Sequence, residues 1–184
     1  MQKLLIQNNN TRVFFIFLVM LFSVCGLTGC GKNDGSPEGK KQKGKLSPKD
    51  EIVEFINVDL AGIQEDRDQA VENMNSYFSG NGISDTTEDL EELEKETLLR
   101  YETYLREVEA IDIRNDEIKE VKALYYEAAL MQRDAMQNML DALKTSDENK
   151  ITAARENLSE YDKLMGDYKD KLEELCEKYH IEMK

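Results

Sequence analysis

The chain has 184 residues, 34% of them charged, no tryptophan and a formal net charge of −14. That length suits one domain behind a targeting segment. Residues 50–184 hold 36 of the 38 acidic side chains but only 16 of the 24 basic ones. The resulting net charge of −20 repels phosphate backbones and argues against a nucleic-acid partner.

In chain order, Lys3 and Arg12 are the only charges before residue 30. The unbroken apolar run from Val13 to Phe22 follows. As a helix it spans about 15 Å, roughly half a bilayer core, which suits a cleaved signal segment better than a permanent anchor. Next stands Leu27-Thr28-Gly29-Cys30. It resembles the lipobox of bacterial lipoproteins. The resemblance implies that residues 1–29 are removed and that Cys30, now first, carries diacylglycerol and an acyl chain such as palmitate. Two acyl chains anchor stably where one is marginal. The implied location is the extracytoplasmic face of the cell membrane.

With Cys25 removed and Cys30 acylated, Cys176 has no partner among the three cysteines, so packing alone must hold the domain. Residues 30–47 are rich in Gly, Lys, Ser and Asn without apolar periodicity and read as a flexible tether with a reach of about 23 Å. Six lysines against Asp34 and Glu38 make residues 30–49 cationic, suited to anionic headgroups or to plain spacing.

Both prolines, Pro37 and Pro48, precede residue 50. The rest is a Pro-free, Glu/Lys/Leu/Ala-rich stretch in which apolar residues recur every three or four places. Ser47-Pro48-Lys49-Asp50 carries cap and first-turn signals, and the first stripe is Val53, Ile56, Leu60, Ile63, Ala70, Met74 and Tyr77. Thr86 or Thr87 caps a second segment with the stripe Leu90, Thr97, Tyr101, Tyr104, Val108 and Ile111. After a break at Asp112-Ile113-Arg114-Asn115, the third stripe is Ile118, Val121, Tyr125, Ala128, Gln132, Ala135, Met139 and Ala142. The fourth, Ile151, Ala154, Leu158, Tyr161, Met165, Tyr168, Leu172, Leu175 and Tyr179, alternates threes and fours without exception. The expected fold is all-α: an acidic, antiparallel up-down-up-down four-helix bundle over 48–184 with coiled-coil-like heptad packing. Its helices are expected at about 48–79, 87–112, 116–144 and 147–182. An extended coiled coil that closes its core by oligomerising is the alternative.

Three seam positions are polar: Arg67, Thr97 and Gln132. Counted from the turns at one end, they and Tyr161 fall within about 6 Å along the axis, which predicts one polar layer at mid-bundle. A buried Arg67 needs a carboxylate or several acceptors, and Glu94 or Glu160 is the carboxylate expected to turn toward it. Such a layer fits helix register or, as the second reading, a small polar or anionic ligand.

No cofactor or metal is expected. Glu177-x-x-His180 occurs once, whereas di-metal bundles need two such pairs. Met131, Met136 and Met139 suit core filling better than copper, and the Glu-rich stretch 88–96 lacks calcium-loop spacing. No phosphate loop, nucleophile elbow or placed histidine suggests an enzyme. The expected role is a membrane-anchored interaction or structural module with an envelope-protein or cell-wall partner. The plan of lipobox, short tether and Lys/Glu-rich heptads is similar to cell-wall-binding helical lipoproteins of Gram-positive bacteria. A ligand-binding lipoprotein and an immunity lipoprotein whose acidic surface neutralises a basic toxin are the alternatives.

Overall fold

The computed structural model describes residues 46–79 and 86–182. The expected signal segment, Cys30 and the tether up to residue 45 lie outside them. All secondary structure among the described residues is helical. In chain order it comprises α1 (Pro48–Glu54), a π-helical turn (Phe55–Leu60), α2 (Gln64–Phe78), α3 (Thr87–Ala110), α4 (Asp116–Thr145) and α5 (Glu148–Lys178).

Short polar side chains start α1, α3, α4 and α5 by taking up amide groups that have no partner in the first turn. Ser47 accepts from the Asp50 amide and donates from its hydroxyl to the Asp50 carboxylate at 2.7 Å, which ties the cap to the first turn. Thr86 caps α3 through the Asp89 amide, Asn115 caps α4 through Glu117 and Ile118, and Asp147 caps α5 through Asn149. Only Ser146 and Asp147 separate α4 from α5, and Ser146 takes a left-handed conformation (φ 57°) to reverse the chain there.

The first rod departs from the expected continuous helix 48–79. A π turn and an interruption at Ile63 (φ −112°, ψ 6°) divide it. The break frees the Leu60 carbonyl, which accepts from the Ile63 amide at 3.3 Å and from the Gln64 side-chain amide at 2.9 Å. Above the break Ile52, Phe55 and Ile56 are buried; below it Arg67, Ala70, Val71 and Met74 are. Val53, expected on the seam, is only partly buried, and its neighbour Ile52 is inside instead.

The fourth rod ends at Lys178, short of the expected 182. Ile181 donates to the Cys176 carbonyl at 2.8 Å and His180 to Glu177 at 3.2 Å, with His180 left-handed at φ 54°. This is a Schellman motif, closed by burial of Ile181 over Cys176. The Lys49 ammonium donates to the His180 carbonyl at 2.9 Å and so ties α1 to the end of α5.

The stripes meet in one core. All eight expected positions of α4 are buried; in α5, Ile151, Met165, Leu172 and Tyr179 are only partly so. Each large apolar side chain taken fully inside contributes about 1.5–3 kcal/mol before entropy is counted. The most extensive pairwise packing is between α4 and α5, followed by α2 with α3 and α3 with α4.

Candidate functional site

Three of the residues singled out by spacing, Arg67, Gln132 and Tyr161, lie on three different elements and are joined by hydrogen bonds; Thr97, on a fourth, is not joined to them. Arg67 of α2 is buried, 6% exposed. Its Nε donates to Gln132 Oε1 of α4 at 3.1 Å, and Nη2 to the Tyr161 hydroxyl of α5 at 3.4 Å. Nη1 pairs with Asp68 at 3.1 Å, at the layer's exposed rim. The Tyr101 hydroxyl of α3 donates to the same Gln132 oxygen at 2.7 Å. Thr97, one turn before Tyr101, is fully buried, but its hydroxyl is not part of this set.

Neither carboxylate expected to face Arg67 does so. Glu94 bonds Lys144 and Gln137, and Glu160 pairs with Lys163 at 2.8 Å on the surface. The reason is desolvation: a carboxylate drawn inside would give up its hydration, whereas neutral oxygens can take the guanidinium donors at smaller cost. Asp68 supplies the counter-charge from the rim.

A second tier lies one turn away. The Tyr104 hydroxyl donates to the Tyr125 hydroxyl at 2.6 Å, and the Gln64 amide donates there at 3.1 Å. The Tyr125 and Tyr168 rings pack with centroids 5.3 Å apart. Burial drives the Tyr101 and Tyr104 hydroxyls well above the usual tyrosine range, and Tyr161 upward against the pull of Arg67. These hydroxyls stay neutral at any ordinary pH. Burial works to lower the Arg67 pKa, but the group stays cationic, its donors taken up by the Gln132 and Tyr161 oxygens and by Asp68. The sequence reading places Tyr161 in the polar layer but takes Tyr101, Tyr104 and Tyr125 as apolar seam residues; the hydroxyl, which must find a partner when buried, is the signal that points to them.

A second polar feature had no sequence expectation. Glu51 of α1 is buried, 7% exposed. Its carboxylate accepts the amide protons of Arg114 at 2.7 Å and Asn115 at 3.2 Å, in the turn that launches α4. Its spacing of four before Phe55 was the only hint of an inward position. Beside it opens a cleft of about 420 Å³ whose lining includes Leu46, Glu54, Asp59, Ile113 and Asp116.

Met136 and Met139 are buried in the apolar core and Met131 is partly buried. His180 is exposed at the end of α5. Among the described residues no cluster of three or more His, Cys, Asp or Glu is placed to hold a metal, and no helix is long and apolar enough to cross a membrane. Comparison of the chain with protein families, curated proteins and solved structures finds no match.

Proposed function

We propose that this chain is a lipid-anchored lipoprotein of the extracytoplasmic membrane face, acting as an interaction or structural module of the cell envelope. Leu27-Thr28-Gly29-Cys30 behind a ten-residue apolar run carries the reading. On this view acylated Cys30 supplies the membrane attachment, the cationic tether spaces the body from the surface, and the acidic body meets an envelope-protein or cell-wall partner.

The body is read as an up-down-up-down four-helix bundle. In support, Glu102–Arg133 and Glu94–Lys144 pair α3 with α4 in opposite sense, as do Asp141–Lys150 and Glu117–Lys178 for α4 with α5. Arg67–Tyr161 and Lys49–His180 bring the first rod to the last. The guanidinium donors of Arg67 are engaged by groups of the protein itself, which favours a register role for the layer over a pocket for an anionic ligand. The carboxylate-lined cleft beside Glu51 favours a basic partner, the feature that keeps the immunity reading alive.

Cell fractionation and mass spectrometry test the proposal. Wild-type chain should sediment with membranes and begin at an acylated Cys30, while Cys30→Ala should be released. An unmodified, uncleaved chain would overturn the anchor. Failure to pellet with purified peptidoglycan would remove the cell-wall version and leave the protein-partner version.

A further inference from the structure

The mid-core layer contains two polar atoms that its internal hydrogen bonds leave over. Gln132 is 0% exposed and its Nε2 has no hydrogen-bond partner; Thr97 is 0% exposed and its Oγ1 has none either. The orientation of the Gln132 amide is dictated by its neighbours. Arg67 Nε can only donate, so the oxygen of Gln132 must face it, and Tyr101 adds a second donor to that oxygen. Flipping the amide would set its NH2 against the guanidinium. Two N–H groups therefore point away from Arg67 with nothing to accept them.

Thr97 stands near the level where an acceptor is needed. It lies ten residues into its rod from Thr87, and Gln132 thirteen residues back from Thr145, about 15 and 20 Å from the same end. A long helical side chain leans toward its own N-terminus, which for Tyr101, whose hydroxyl is on Gln132, is the direction of the turn that holds Thr97. Leaving a buried amide N–H and a buried hydroxyl unpaired is costly, and internal waters bridging two to four such groups are the usual remedy.

We propose that the layer is a built hydration site: one buried water accepts from Gln132 Nε2 and donates to Thr97 Oγ1, joining α3 to α4 inside the core. The ligand class is water, because the open groups are neutral and the one charge present is already engaged. The site goes beyond the proposed function and holds whether or not Cys30 is acylated.

A high-resolution crystal structure of the full chain in detergent tests it directly. The expected result is one ordered water within hydrogen-bond reach of both atoms. A direct Gln132–Thr97 hydrogen bond, a dry contact, or density for a larger molecule there would each overturn the proposal. Oxygen-17 relaxation dispersion gives the solution test on the same protein. Thr97→Val, which keeps the side-chain shape, should hold one fewer long-lived water than wild type, and Thr97→Ser should retain it. An unchanged count in folded Thr97→Val would sink the idea; should that variant not fold, the wild-type crystal decides alone.

Discussion

Two charged residues of the first rod are buried with opposite signs, and they are accommodated in opposite ways. Arg67 is met by side chains from α4 and α5, with its counter-charge at the solvent edge. Glu51 is met by backbone amides of the turn between α3 and α4. A network of side chains can rearrange when one member is lost, because rotamers and amides can turn. Two amides fixed by a turn cannot follow a missing acceptor. The carboxylate at the bundle end should therefore be the less replaceable of the two.

The first way to break that comparison is Glu51→Ala. It leaves the Arg114 and Asn115 amides without their charged acceptor and should cost about 3 kcal/mol in urea unfolding. Glu51→Gln keeps one oxygen and should recover part of the loss; equal damage from both variants would show that volume rather than hydrogen bonding matters.

Arg67→Leu comes next. It removes a buried charge, which helps, and takes away one of the two donors to Gln132 Oε1 and the donor to the Tyr161 hydroxyl, which hurts; the net loss should be about 2 kcal/mol. If stability and any ligand binding are both unchanged, the layer has neither of the roles considered for it. Tyr101→Phe removes one donor of two from Gln132 Oε1 and should cost about 1 kcal/mol, read as a lowered thermal midpoint with helix content unchanged.

The smallest effect concerns the surface. Glu117 is held below its ordinary carboxylate pKa, first by the Lys178 hydrogen bond and then by Tyr179. A carboxyl with a depressed folded pKa adds stability above its unfolded pKa and loses it as pH falls through the folded value. Lys178→Ala should therefore narrow the gap between neutral and acid stability slightly, and acid-range melts of the two proteins compare it. A larger effect than that of Tyr101→Phe would reverse the ranking of surface and core.

Legibility followed the periodic pattern. The α4 stripe is buried at every expected position because each of its residues, Gln132 included, continued the three-four spacing. Arg67 stood out by interrupting such a spacing, and its height along the rod pointed to Gln132 and Tyr161. Glu51 did not stand out. A glutamate in the first turn of a helix ordinarily favours the helix dipole from solvent, and nothing local says that a turn more than sixty residues away will present two amides to it. The partners expected for Arg67 failed for a related reason: spacing places Glu94 near the layer, but competition from Lys144, on another helix, draws it outward.

Sequence alone thus determined that the body is helical, where most helices begin, and which residues share an inner face, because caps and periodicity act within a few residues of chain. Tertiary structure decided the π turn and break before Gln64, the end of α5 at a left-handed His180, the pairing of Arg67 with neutral oxygens and the inward turn of Glu51. Each of these depends on which backbone or side-chain group a distant segment offers once water is excluded, and that is set only when the rods pack.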